Sequence, residues 1–72
     1  MSDDAVLLYN LGVLLDDQHR SAEALEAYAA AVASDPDFAD AHFNLGLLYE
    51  SLGRQKDAIR HMARYRVLAN KG

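Results

Sequence analysis

The sequence predicts an all-α fold in which two tandem antiparallel helical hairpins, four helices in all, form a short solenoid. Apolar residues recur at steps of three and four in four successive segments, as is typical of helices that bury one face. Pro36 and Gly53 separate these segments, and none of them shows the strict alternation of a half-buried strand. The chain also repeats itself after 34 residues, so the second hairpin is predicted to be a copy of the first.

Two apolar stripes predict the first hairpin. In the segment from Ala5 to Asp17, one helical face carries Leu8, Leu11, Gly12 and Leu15. Ser21 is a residue type that suits the start of the second helix. The stripe of that helix consists of Ala24, Leu25, Tyr28, Ala31 and Val32.

The second hairpin follows Pro36, and Asp37 is expected to cap its first helix. The stripes of its two helices consist of His42, Leu45, Gly46 and Tyr49, and of Ala58, Ile59, Met62 and Tyr65. The connections are short, so neighbouring helices are expected to run antiparallel.

The internal repeat carries a recognisable motif. A shift of 34 residues aligns Asn10-Leu11-Gly12 with Asn44-Leu45-Gly46, and Ala24 with Ala58. The pattern W-x2-L-G-x2-Y, A-x3-F, P is matched by Leu8, Leu11, Gly12, Leu15, Ala24, Tyr28 and Pro36, then by His42, Leu45, Gly46, Tyr49, Ala58 and Met62. The chain therefore resembles the tetratricopeptide repeat family over almost its full length. We expect a single domain over 1–72, with repeat one at about 5–38 and repeat two at about 39–72.

The second repeat departs from the pattern at three places. His42 stands where a large apolar residue is usual, Tyr65 replaces the small residue matched by Ala31, and no proline ends the repeat. We interpret His42 as a histidine packed between helices with one ring nitrogen bonded, rather than as a functional titrating group.

Length and composition limit the kinds of protein that this chain can be. The chain has 72 residues, 51% of them apolar and 25% charged, which predicts a small folded domain. There is no cysteine, so no disulfide forms. No apolar run approaches the roughly 20 residues that cross a bilayer, and the acidic start Met-Ser-Asp-Asp is unlike a secretory signal. These features predict a cytoplasmic protein.

Neither an enzyme nor a cofactor site is predicted. The chain lacks a cysteine nucleophile and a glycine-rich phosphate loop, and its serines lie near predicted helix ends. Asp16, Asp17 and His19 fall together in the first inter-helix turn, but we interpret them as solvated side chains rather than metal ligands.

The family resemblance implies a peptide-binding groove lined by the first helix of each hairpin. Its expected residues are Val6, Tyr9, Asn10, Val13, Asp17, Asp40, Phe43, Asn44, Leu47 and Glu50. Asn10 and Asn44 are expected to contact a bound peptide, because an amide both donates to and accepts from an extended backbone. Local bonding on the helix surface is the open alternative. The carboxylate clamp of one subclass is absent, since Tyr9 and Val13 stand where a cation and an amide are needed. An apolar middle and an acidic rim favour an apolar, basic ligand.

The last helix is expected to bear an uncovered face. Residues 1–53 hold ten of the eleven acids, whereas the last nineteen residues hold six of the seven bases. A solvated charged face would explain this division, and so would self-association of the acidic hairpin with the basic helix, as a closed dimer or head to tail. The expected self-association residues are Ile59, Met62, Tyr65, Leu68, Arg60, Arg64 and Arg66.

Two functions stay open at this point. One is a scaffold that binds a peptide or protein partner through the groove, and the other is a module that forms a homodimer or oligomer. Residues 57–66 are also similar to the endings of repeat modules appended to some bacterial transcription regulators, which would make the chain part of a larger regulator. Direct nucleic-acid binding is not expected, because the chain is acidic overall and its aromatic residues do not interleave with the basic run.

Overall fold

The structure, a computed structural model, describes residues 3–71 and contains four helices in that range. They are α1 (Asp3–Asp17), α2 (Ser21–Ser34), α3 (Ala39–Ser51) and α4 (Gln55–Ala69). No strand is present in this part of the chain, and the predicted all-α fold of two tandem hairpins is confirmed. Helix α1 begins at Asp3 rather than at Ala5, because Asp3 and Asp4 extend its first turn, where the helix dipole favours carboxylates.

The helices stack in chain order. Helix α1 packs on α2, α2 on α3, and α3 on α4. The Cα atoms extend over only 32 × 28 × 16 Å, so every helix keeps a face in solvent. Helix α3 occupies the middle of the stack, and its stripe of His42, Leu45 and Gly46 is buried as predicted. Leu11, the counterpart of Leu45 on α1, remains 46% exposed because α1 lies at an end of the stack.

The predicted cap of α3 is wrong. Helix α3 begins at Ala39 with Phe38 at the N-cap position, and no side chain caps it. The backbone N–H of Asp37 instead donates to Oδ1 of Asp35 at 3.1 Å, which closes a turn before the helix. Phe38 is buried in the core at 5% exposure, and this burial fixes where the helix starts. Ser21 likewise is the first residue of α2 and not its cap, which is Arg20.

The two intra-hairpin turns have the same backbone geometry. The backbone N–H of Arg20 donates to the carbonyl of Leu15 at 2.9 Å, and that of Arg54 donates to the carbonyl of Tyr49 at 2.9 Å. Each turn passes through a left-handed residue, His19 with φ of 62° and Gly53 with φ of 78°. Glycine adopts this conformation without strain and histidine at a small cost, so the first turn is the less relaxed of the two.

A glycine faces a large side chain in each hairpin. A Cβ at Gly12 would lie 2.6 Å from two ring carbons of Tyr28, whereas a Cβ at Gly46 would lie 3.0 Å from Cγ of Met62. Tyr28 is only 1% exposed and its ring is rigid, so it has no room to yield. Met62 is half-buried and flexible. The helices of the first hairpin are therefore packed more closely and more rigidly at the glycine than those of the second.

A histidine pair joins α3 to α4. Nε2 of His42 lies 2.8 Å from the carbonyl oxygen of Pro36, so that nitrogen donates. Nδ1 of His42 then accepts from Nδ1 of His61, 3.1 Å away. Both ring nitrogens of His42 are bonded, whereas the sequence led us to expect one. Because the Nδ1 atoms face each other, the pair holds its hydrogen bond only while one of them is unprotonated.

His61 lies within a stack of rings. Its ring centroid is 5.3 Å from that of His42 and 5.6 Å from that of Tyr49, and the guanidinium of Arg54 lies over the Tyr49 ring. Burial lowers the pKa of His61, and the nearby His42 and Arg60 lower it further, while Asp57 acts in the opposite direction.

Replacing each glycine by alanine is expected to change the free energy of unfolding by different amounts in the two hairpins. Gly12→Ala forces the Tyr28 ring out of place and is expected to lower the free energy of unfolding by about 1–3 kcal/mol. Gly46→Ala meets only the flexible side chain of Met62, and the higher helix propensity of alanine, worth about 1 kcal/mol, offsets the contact. Urea unfolding followed by circular dichroism checks this, and equal losses in the two variants would contradict the packing described.

The His61 environment predicts a pH dependence of stability. A lowered pKa means that the folded chain binds fewer protons than the unfolded chain below about pH 6.5, so the free energy of unfolding falls as pH falls through that region. His61→Gln is expected to reduce the slope of the free energy of unfolding against pH between about pH 7.5 and pH 5. The control is His19→Gln, which alters an exposed histidine and should retain the slope. Identical slopes in wild type and His61→Gln would refute the assignment.

Candidate functional site

Side chains of α1, α2 and α3 meet at Asn44. Its Nδ2 donates to the hydroxyl of Tyr9 at 3.2 Å and to the hydroxyl of Tyr28 at 3.4 Å. Burial raises the pKa of Tyr28, so its hydroxyl stays protonated and neutral. Asn44 is thus held in one orientation by two phenols on different helices.

The carbonyl of this amide remains available. Both N–H groups of Asn44 point to tyrosine hydroxyls, and Oδ1 makes no hydrogen bond within residues 3–71. Asn44 is half-buried, and no side-chain polar atom described in the structure is both buried and unsatisfied. Its oxygen therefore faces solvent as a fixed acceptor of the kind that a main-chain N–H of another polypeptide can use.

Aromatic rings surround the amide. The Tyr9 ring lies 5.9 Å from Tyr28 and 5.1 Å from Phe38, centroid to centroid. On α3, Phe43 is 37% exposed and Leu47 is 44% exposed, one helical turn apart. Phe43 also contacts Tyr65 of α4, with ring centroids 4.9 Å apart. The middle of the surface is accordingly apolar and rigid.

The structure places the remaining expected groove residues at different depths. Tyr9 and Val13 are half-buried, because both pack against the core cluster that contains Tyr28 and Leu45. The residues exposed to solvent, besides Phe43 and Leu47, are Asn10, Asp17, Asp40 and Glu50. Val6 is half-buried beside Phe38.

The acids among the expected groove residues carry negative charge that no described ion pair compensates. Among the ion pairs of the described chain, the carboxylates belong to Glu23, Asp37 and Asp57. The three acids of the groove, Asp17, Asp40 and Glu50, take part in none of them. The expected groove residues therefore combine exposed apolar side chains with acids that form no ion pair among residues 3–71.

Sequence reasoning assigned Tyr28 to packing alone and so missed its place in the site. Its ring fills the hairpin, but its hydroxyl reaches Asn44 in the groove. The signal was present in the motif, which has phenylalanine at this position. A tyrosine there adds one buried hydroxyl, and buried hydroxyls normally find a partner.

The expected self-association residues on α4 are only partly free. Ile59 is 68% exposed, and Arg60 and Arg66 are also exposed. Met62, Tyr65 and Leu68 are half-buried. Arg60 pairs with Asp57 at 2.9 Å and Arg64 with Asp37 at 2.8 Å, so two of the three arginines are engaged within the chain.

Residues 3–71 contain neither a metal-binding cluster nor a membrane span. No group of three or more histidine, cysteine, aspartate or glutamate residues is placed to hold a metal ion there. No helix of that range combines the length and the apolar character needed to cross a membrane.

Solved structures of similar fold are repeat proteins. The crystal structure of MamA superposes with a TM-score of 0.88 and 28% identity, over 93% of this chain and 39% of that one. A tetratricopeptide repeat domain protein from Salinibacter ruber superposes with a TM-score of 0.88 and 30% identity, over 96% of this chain and 77% of that one.

Curated relatives are much longer proteins. The peroxisomal targeting signal receptor of Candida albicans is 40% identical over 60 residues, which is 83% of this chain and 10% of the receptor. The receptor of the same name from Eremothecium gossypii is 33% identical over the same length. The chain thus spans about a tenth of the length of these relatives.

The sequence profile described as "Tetratricopeptide repeat" matches residues 9–72, which include most of α1, all of α2, α3 and α4, and the expected groove residues from Tyr9 onward. Repeats of this family form non-catalytic folds that bind proteins. By its sequence, its four helices and its structural neighbours, the chain belongs to the tetratricopeptide repeat family.

Proposed function

We propose that the chain is a binding module that holds an extended segment of a partner polypeptide in the groove between α1 and α3. The observation that carries this proposal is the fixed amide of Asn44. Two tyrosine hydroxyls orient it, and its free oxygen is aimed at solvent beside exposed apolar side chains. An acceptor held in this way binds a peptide N–H without losing side-chain freedom on binding.

The chemistry of the groove selects the partner. Phe43 and Leu47 offer an apolar floor, and Asp17, Asp40 and Glu50 give the rim an unpaired negative charge. A segment with apolar side chains and flanking lysine or arginine complements both features. Attraction between exposed charges is screened beyond about 8 Å at physiological salt, so this preference weakens as salt is added.

The relatives support recognition of a polypeptide as the class of activity. The curated relatives are peroxisomal targeting signal receptors, and the family itself is non-catalytic. We also propose a cytoplasmic location for the chain, as its sequence leads us to expect.

A second candidate function is self-association through α4. It is favoured by the exposure of Ile59 and by Arg66, which has no ion-pair partner among the described residues. It uses the end of the stack, whereas the acceptor of the groove lies between α1 and α3.

The Asn44 acceptor can be tested with peptides selected from a random library on the wild-type chain. Asn44→Ala removes the acceptor and is expected to weaken binding of the best peptide about fivefold to tenfold. The loss of one net hydrogen bond of about 1 kcal/mol predicts this change. Fluorescence anisotropy measures the Kd. Asn70→Ala, at the far end of α4, is the matched control and should bind like wild type.

Stability must be followed in the same variants, because Asn44 also bonds Tyr9 and Tyr28. Tyr28→Phe removes one of those bonds but keeps the Asn44 oxygen, so it should lower the melting temperature while retaining most of the binding. If folded Asn44→Ala bound the peptide as tightly as wild type does, the role given to the amide would be wrong.

The negative rim makes a separate prediction about ligand charge. Glu50→Lys is expected to weaken binding of a basic peptide severalfold at low salt, because it reverses one rim charge. The effect should be smaller at high salt. Glu23→Lys is the control, since Glu23 lies on α2 outside the groove and already pairs with Arg20 at 2.6 Å. A library in which acidic peptides bind best would overturn the proposed preference.

A further inference from the structure

Two surfaces meet where the hairpins pack on each other, and a counterpart of each surface lies exposed at one end of the molecule. Inside the chain, α3 buries three residues against the first hairpin, namely Ala41, Leu45 and Leu48. They share core clusters with Ala31 and Tyr28 of α2. This contact is the step by which one repeat stacks on the next.

The same face of α1 is uncovered. The residues 34 positions before Ala41, Leu45 and Leu48 are Leu7, Leu11 and Leu14. They are 66%, 46% and 59% exposed. We call these three leucines the leading face. It is the α1 counterpart of the surface that α3 buries inside the chain.

The surface that receives α3 is also repeated. On the first hairpin, the receiving side chains include Tyr9, Val13 and Leu25, which pack against the cluster containing Leu45 and Leu48. Their counterparts 34 positions later are Phe43, Leu47 and Ile59, with exposures of 37%, 44% and 68%. We call these three residues the trailing face.

We propose that copies of this chain stack head to tail, the leading face of one copy packing on the trailing face of the next as α3 packs on the first hairpin. The occupant of each face is thus a second copy of the chain. This goes beyond binding in the groove, because it assigns a partner to the two ends of the stack. Phe43 and Leu47 belong to both surfaces, so a stacked copy and a bound peptide compete for them.

Charge supports the choice of a second copy. Within the chain, Val32 and Phe38 lie in one apolar cluster across the step from α2 to α3. Their counterparts at the step between copies are Arg66 and Asp4, a cation and an anion. Neither takes part in an ion pair among residues 3–71. The stacked arrangement brings them together.

The net charges of the two ends agree with this pairing. Ten of the eleven acids lie before residue 54 and six of the seven bases lie after residue 53. An acidic leading end therefore meets a basic trailing end, which favours head-to-tail contact over contact between like ends.

One pair of positions makes the step between copies looser than the internal step. Ala31 and Ala41, both fully buried, correspond to Tyr65 and Leu7. Two large side chains replace two small ones there, so the copies stand further apart at this point. Association is expected to be weaker than the packing of the hairpins and to depend on concentration.

The arrangement is open, because each added copy presents a new trailing face. Contacts of this heterologous kind do not stop at a dimer unless the rotation closes a ring. The average molar mass is therefore expected to rise steadily with concentration past the dimer, and to fall when salt is raised. Light scattering on the 72-residue chain measures both.

Charge reversal gives the sharpest test. Asp4→Arg alone makes two cations face each other at every step, and Arg66→Asp alone makes two anions face each other, so each variant should associate at least about tenfold more weakly than wild type. Mixing the two variants restores an opposite pair at every step between unlike copies. At one kind of step the unaltered Asp4 meets the unaltered Arg66, and at the other the two substituted side chains, an arginine and an aspartate, meet. The mixture is therefore expected to form stacks in which the two variants alternate, and its average molar mass should rise with concentration as that of the wild-type chain does.

This mixing result separates a specific contact from a general effect of charge. Each variant alone should remain a monomer at concentrations where the equimolar mixture associates as the wild-type chain does. The double variant, which carries both Asp4→Arg and Arg66→Asp, restores an opposite pair at every step and should recover the wild-type mass. Both positions are exposed in the single chain, so folding is expected to be unaffected.

The apolar contact is tested by Leu14→Gln, which should reduce association, against Val67→Gln, which should not. Val67 is 52% exposed, but its counterpart in the first repeat, Ala33, is also exposed and lies outside the internal step. A wild-type chain that is a monomer at every concentration or stops at the dimer mass, or a double charge variant that stays dissociated, would each overturn the proposal. None of the four substituted positions lies in the groove, so peptide binding measured at concentrations where every chain is a monomer should be the same in these variants as in wild type.

Discussion

The structure depends on the position of one ring, that of Tyr28. The ring lies against Gly12 on α1 and is only 1% exposed on α2, and its hydroxyl accepts a hydrogen bond from Asn44 on α3. Three helices are therefore fixed relative to one another by a single side chain. The ring needs a glycine opposite it, and the hydroxyl needs a polar partner, so the close packing of the first hairpin and the orientation of the groove amide have a common origin.

The second repeat departs from the first where the stack ends. Met62 replaces Tyr28 and carries no hydroxyl, and Tyr65 replaces Ala31 and contacts Phe43. The structure compensates with polar contacts, the paired rings of His42 and His61 and the ion pair between Arg64 and Asp37. Packing within the first hairpin is thus apolar and rigid, whereas α4 is attached by contacts that respond to pH and salt.

Much of the fold follows from residue spacing alone, because the glycines, alanines and prolines of a helical repeat recur at fixed positions for steric reasons. The helix caps and the burial of individual residues did not follow. Asp37 looked like a cap, but the burial of Phe38 decided where α3 begins. Leu11 and Leu45 are equivalent in sequence and differ in exposure only because α3 has a neighbour on each side. The groove positions were predicted from family resemblance, yet the partner of Asn44 depended on a hydroxyl that no periodicity reveals.

The one-sided attachment of α4 has a consequence for the order in which the molecule opens. Among residues 3–71, α4 contacts α3 and the loop before α3 through His61, Met62, Tyr65 and Arg64, while Ile59 and Val67 face solvent. Helix α4 can therefore detach as a unit while the Tyr28 core stays intact. Amide hydrogens of α4 are therefore expected to exchange with solvent faster than those of α2 and α3.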